Sequence, residues 1–101
     1  MKLFLPTPNS EEPKKGTPQQ LAILRALNQH ETAAVGIIEK TMDEEVYRRW
    51  ARGNIVQDWI ASRSFVTEAR DNFKNQTLYC ELERLAWRWA NEEERRLMPR
   101  P

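Results

Sequence analysis

Residues 75–89 read Asn-Gln-Thr-Leu-Tyr-Cys-Glu-Leu-Glu-Arg-Leu-Ala-Trp-Arg-Trp, and Leu78, Leu82, Leu85 and Trp89 recur within them at steps of four, three and four. That spacing lays one apolar stripe along one side of an α-helix, and charge fills the opposite side. Asn75 or Thr77 is placed to begin the helix, which is expected to end near Arg95.

The same period extends toward the N-terminus. Thr17-Pro18-Gln19-Gln20 is a start signal. Thr17 can cap, Pro18 suits a first helical position that has no amide to satisfy, and Gln20 completes a Thr-x-x-Gln box. Leu21, Leu24, Leu27, Val35 and Ile38 follow at near-helical spacing, so a stripe is expected to run to about Lys40, weakened in the middle by Gly36. A second start stands at Thr41-Met42-Asp43-Glu44, where Thr41 with Glu44, or Asp43 alone, can cap. Val46, Trp50, Val56 and Trp59 or Ile60 are the expected buried face, with a bend allowed at Gly53-Asn54. From Ser62 to Phe73 the positions Phe65, Val66, Ala69 and Phe73 suit one helical face, either as a separate helix begun by Ser62 or Ser64 or as a continuation.

Prolines 6, 8, 13 and 18 lie near the start and prolines 99 and 101 at the end, and none lies between. The long interior therefore permits helices, and no stretch alternates apolar and polar residues between turn dipeptides as a strand would. The reading is an all-α fold, a compact bundle of three to four antiparallel helices with an extended N-terminal arm. Residues 1–16 form that arm, 17–96 a single helical domain and 97–101 a short tail.

With 101 residues there is room for one core and not for a cleft between domains. Sixteen Lys and Arg against fifteen Asp and Glu leave a net charge of +1, which supplies no domain-wide field for nucleic acid or an anionic membrane. Near neutrality also speaks against mimicry of DNA. No apolar run is long enough to cross a bilayer, and Met1-Lys2-Leu3-Phe4-Leu5 is stopped by Pro6 and Pro8 before it becomes a signal-peptide core. A lone Cys80 allows no internal disulfide, so a cytoplasmic setting is expected.

Little of the sequence carries reaction chemistry. His30 and Cys80 lie on helices that nothing in the sequence brings together, and the simpler reading is a surface imidazole and a core thiol. One of each is too few for a zinc site, so no metal is expected. Asp43-Glu44-Glu45 and Glu92-Glu93-Glu94 invite an acid/base pair or a divalent cation, yet helix starts and terminal ion pairs account for both. Gly16, Gly36 and Gly53 stand alone and make no phosphate loop. No catalytic residue and no cofactor is expected, and the chain reads as a non-enzyme.

Two basic aromatic runs stand out, Tyr47-Arg48-Arg49-Trp50-Ala51-Arg52 and Arg84-Leu85-Ala86-Trp87-Arg88-Trp89. Arg48 with Arg52, and Arg84 with Arg88, share helical faces that suit phosphate contacts beside stacked bases. Glu44, Glu45, Glu81 and Glu92 stand one turn away, so solvated ion-pair ladders compete with that role. Trp87 and Trp89 cannot both face the core, because two residues rotate a helix by about 200°. Trp89 continues the stripe, which leaves Trp87 exposed, at an interface, or covering the edge of the bundle. The apolar tip Leu3-Phe4-Leu5 is a second docking element, onto a partner, a second copy or its own bundle.

An acidic turn, Asp43-Glu44, followed by Val46-Tyr47 with Trp50 and Trp59, then Leu78-Tyr79 and Leu85-Ala86 with Arg88-Trp89, resembles an uncharacterised bacterial small helical domain of unknown function over about Glu31 to Asn91. The resemblance implies a compact helical bundle and no established activity.

The functional expectation is a small non-catalytic protein-binding module that occludes or organises a protein partner through Trp87, Arg84 and Arg88, aided by Leu3, Phe4 and Leu5. A phage or mobile element encoding an inhibitor of a host defence complex would use a protein of this kind. The competing expectation is nucleic-acid binding through an arginine and aromatic surface that includes Arg48, Arg49 and Arg52. Self-association across a two-fold axis stays open.

Overall fold

The computed structural model describes residues 17–101. The expected arm, residues 1–16, and with it the Leu3-Phe4-Leu5 tip, lies outside the described residues.

α1 spans Pro18–Ile38 and begins where the cap signal stands, with the Gln20 amide donating to Thr17 Oγ1 at 3.1 Å. It ends without a glycine. Lys40 adopts the left-handed conformation (φ 65°), its amide donates to the Ile37 carbonyl, and the Thr41 amide donates to the Gly36 carbonyl at 2.8 Å. These two bonds make a Schellman close, with lysine in the position that usually favours glycine.

α2 spans Glu44–Asn72, and of the two start alternatives Asp43 alone supplies the cap, its Oδ1 accepting the Val46 amide at 3.1 Å. The helix passes Gly53-Asn54 without interruption and absorbs the Ser62–Phe73 segment as a continuation. Ser62 is buried, and its hydroxyl donates back to the Trp59 carbonyl at 3.4 Å instead of capping a new helix. A second lysine-centred Schellman close ends α2: Lys74 has φ 53°, its amide donates to Asp71, and the Asn75 amide donates to Arg70.

α3 spans Cys80–Trp89 and starts later than Asn75 or Thr77. Those two residues are occupied with each other in the preceding turn, where Asn75 Oδ1 accepts both the amide and the hydroxyl of Thr77. The helix also ends sooner than Arg95, because Ala90 turns extended (ψ 147°) and Asn91 opens a separate turn, α4 (Glu92–Arg95), through a capping box with Glu94.

Asn28 and Glu31 of α1 bond Tyr79 and Leu82 of α3 in ascending order, so these helices run parallel. Arg70 and Arg52 of α2 bond Leu78 and Trp89 in opposite order, so α2 runs antiparallel to α3. The result is an up-down-up bundle of three principal helices, and every described element is helix or turn. At about 1.5 Å per residue the 29 residues of α2 reach the full 41 Å length of the molecule.

The core differs in phase from the expected stripes. On α1 the buried residues are Ile23, Leu27, Ala33, Ala34 and Ile37, whereas Leu21, Val35 and Ile38 are exposed and Leu24 is half-buried. α1 carries apolar residues on two faces, and the inward one includes Ala33 and Ala34, whose small side chains allow close helix packing. On α2, Val56 and Trp59 are buried as expected, but Val46 and Trp50 point outward because Ala51, Ile55 and Val66 set the inward stripe. Phe73, at the cap, is exposed rather than packed with Phe65 and Val66. Leu82, Leu85 and Trp89 of α3 are buried and Leu78 is half-buried, as the spacing predicts. Met98, in the expected tail, also enters the core.

Candidate interaction surface

Glu44 occupies the first turn of α2 and gathers two neighbours from the end of α3. Its Oε2 accepts Arg88 Nε at 3.1 Å and the Trp89 indole N–H at 2.8 Å, while Oε1 takes a second bond from the Arg88 guanidinium. Burial pushes the Glu44 carboxyl up, but the bonds from Trp89 and Arg88 and the charges of Arg88 and Arg48 outweigh it and hold the carboxyl below the ordinary range.

The last carbonyls of α3 lack regular helical partners, apart from a long bond from the Ala90 amide to the Trp87 carbonyl, and arginines supply them. Arg52 Nε donates to the Trp89 carbonyl at 2.9 Å while its other end pairs with Glu94. Arg95 Nε donates to the Trp87 carbonyl at 2.9 Å. The Asn91 amide first, and then the Arg52 charge and bonds, hold the Glu94 carboxyl below its ordinary range against the cost of burial.

This network decides where the expected site residues stand. Trp87 is half-buried against the core rather than exposed, with the guanidinium of Arg95 at 5.0 Å and that of Arg100 at 5.5 Å over its ring. The turn at Ala90 and α4 brings these cations back over α3, an arrangement that periodicity within one helix does not reveal. Of the alternatives open for Trp87, the structure therefore has it covering the edge of the bundle.

The arginines do not gather into one free basic face. Arg52 and Arg88 are committed between helices, Arg48 pairs with Glu45 at 3.6 Å and Arg84 with Glu81 at 3.4 Å, each within its own helix. Arg49 alone among these five is exposed with no partner for its guanidinium among the described residues.

Two aromatics among the described residues stand in water, Phe73 at the end of α2 and Trp50 in its body, and Trp50, 67% exposed, is the tryptophan of the two. Its ring leans on Tyr47, with centroids 4.9 Å apart and planes tilted by 41°, and Tyr47 in turn packs on the core. Steps of four, three and four place Val46, Trp50, Gly53 and Gln57 along one outward line of α2. Val46 is exposed, and a Cβ built on Gly53 would meet nothing within 4 Å. Sequence periodicity missed this face because it assigned Val46 and Trp50 to the core. The competing inward set Ala51, Ile55 and Trp59 was the available signal.

His30 is mostly buried rather than on the surface, its Nε2 lying 2.9 Å from Asp58 Oδ2 and joining α1 to α2. Cys80 is half-buried at the start of α3, with its thiol 3.9 Å from Glu81. The two acidic runs serve as helix starts: Asp43 caps α2, Glu44 ties α3, and Glu94 closes the capping box of α4. Among the described residues no three His, Cys, Asp or Glu side chains cluster in a way that would hold a metal ion, and no helix is long and apolar enough to cross a membrane.

No curated protein and no solved structure matches this chain. Residues 4–89 match the family model described as "Domain of unknown function (DUF4760)", a span that contains α1, α2 and α3, and the chain belongs to that family.

Proposed function

We propose that this protein is a small non-catalytic helical module that binds another protein through the outward face of α2 around Trp50, and acts by occluding or organising that partner. One observation carries the reading: the most exposed tryptophan is held in place from below by Tyr47 instead of lying flat on its own fold. A large aromatic fixed in solvent has little conformational freedom left to lose on docking, which is what a binding hot spot requires. Trp87, by contrast, already has Arg95 and Arg100 over its ring and contributes to the bundle.

The arginine surface supports the nucleic-acid alternative less well. Tracking a phosphate backbone takes a row of available cations, and four of the five arginines are paired with glutamates. A cytoplasmic setting for the protein rests on its single, unbridged Cys80.

Affinity capture from lysate with nuclease present, comparing wild type, Trp50→Ala and Trp87→Ala, tests the proposal. The expected result is a protein partner retained after nuclease treatment and lost in Trp50→Ala, with helicity unchanged by circular dichroism. A partner kept by Trp50→Ala, or removed by nuclease, overturns it.

A further inference from the structure

The chemistry of the Trp50 face narrows what it would bind. From Val46 to Gln57 the outward line is Val46, Arg49, Trp50, Gly53 and Gln57, apolar and aromatic with one cation and no acid. Arg49 lies one turn from both Val46 and Gly53, next to Trp50.

The acids that flank this line are engaged elsewhere. Asp43 caps α2, Glu44 holds Arg88 and Trp89, Glu45 pairs with Arg48, and Asp58 pairs with His30. Among the described residues Arg49 has no carboxylate partner, so it places a positive charge beside an exposed apolar anchor. Gly53, one turn beyond Trp50, bares the helix backbone in open space, so an approaching chain meets no side chain there.

We infer that the partner presents an acidic, apolar peptide segment, in which an aromatic or aliphatic side chain packs on Trp50 and an adjacent carboxylate pairs with Arg49. Guanidinium and carboxylate match in geometry and can form two parallel hydrogen bonds. Charge complementarity of this kind selects partners and register, while the aromatic contact supplies affinity. A nucleic acid would also meet a cation and a stacking ring here, but one cation does not follow a chain of phosphates. The inference rests on the docking role proposed above for Trp50.

A displayed library of random peptides, selected against wild type, Trp50→Ala and Arg49→Glu in parallel with an oligothymidine binding assay, separates the two levels. Wild type is expected to enrich sequences in which Phe, Trp or Leu neighbours Asp or Glu. Trp50→Ala loses them, and Arg49→Glu weakens them roughly tenfold or more and shifts enrichment toward Lys and Arg. Enrichment that depends on Trp50 but has no acidic bias, or ignores Arg49→Glu, overturns the acidic-segment inference and leaves the docking role standing. No enrichment, or enrichment indifferent to Trp50→Ala, overturns both. Oligothymidine binding that needs Trp50 and Arg49, without peptide enrichment, reassigns the face to nucleic acid. Both side chains are exposed, so circular dichroism is expected to show wild-type helicity in either variant.

Discussion

The carboxylate of Glu31, in the middle of α1, accepts the backbone amide of Leu82 in the first turn of α3 at 2.8 Å. α3 needs this bond because its own N-cap, Tyr79, is left-handed and offers no side-chain cap. An acid from another helix does what a serine or aspartate usually does locally. Tyr79 is fixed by the same neighbour, its hydroxyl donating to Asn28 Oδ1 at 2.9 Å.

Glu31→Ala is therefore expected to lower stability by about 1–2 kcal/mol, because it leaves a part-buried amide without its acceptor. Glu31→Gln keeps an acceptor oxygen and should lose clearly less. Urea denaturation of the two variants beside wild type checks the order.

Acid should act on the carboxylates in opposite directions. Glu44 and Glu94 are held below the ordinary range in the folded protein, so their contribution is present above the unfolded value and is lost as pH falls through the folded one. Burial raises Glu31 despite the amides that favour its charge, so its contribution is full below the unfolded value and is lost as pH rises through the folded one. Over about pH 7 to pH 3, Glu44→Gln combined with Glu94→Gln should flatten the acid loss of stability at the lower end, and Glu31→Gln should remove the gain that protonation of Glu31 brings at and above the ordinary carboxylate value. Thermal melts across that range read both slopes.

Lys40 and Lys74 hold left-handed backbone at the ends of α1 and α2. A residue with a Cβ costs about 1–2 kcal/mol there, and glycine avoids that cost. Lys40→Gly and Lys74→Gly should each raise stability by about 1 kcal/mol, seen as a higher urea midpoint at an unchanged slope.

The same two lysines show which part of the fold the sequence leaves unmarked. The start of α3 and the separate turn capped by Asn91 are hidden in what reads as one helix running to about Arg95, but the starts of α1 and α2 are legible because Thr17 and Asp43 cap within their own segments. Ends are less so, since the usual glycine is absent and the Schellman closes fall on lysine. The all-α class and the α3 stripe of Leu82, Leu85 and Trp89 also follow from periodicity alone. What periodicity cannot resolve is phase on a helix with two apolar faces. That choice decides whether Trp50 is core or surface, and it rests on Ala34 and Ala51 allowing close packing. The arginines over Trp87 are likewise invisible in sequence, because they arrive through the turn at Ala90.

Trp59 is 2% exposed, and its indole N–H has no partner among the described residues. Trp59→Ala should cost about 3–5 kcal/mol as a core truncation. Trp59→Phe removes the unsatisfied donor along with part of the ring, and the two effects offset, so its cost should stay under about 2 kcal/mol. Trp50→Ala, on the outside, should change stability by no more than about 0.5 kcal/mol. Three melting curves distinguish the core indole from the surface one.

The borrowed cap of α3 also makes that helix dependent on the two before it. With no side-chain cap of its own and only 10 residues, α3 is too short to persist alone in water. Its first turn is closed by Glu31 and its last carbonyls by Arg52, residues of the two helices that precede it. α1 and α2, each begun by its own cap, are therefore expected to form ahead of α3, which condenses onto them. Substitutions at Glu31 and Arg52 should speed unfolding more than they slow folding. The helix whose stripe is plainest in the sequence is the one that depends most on its neighbours for its ends.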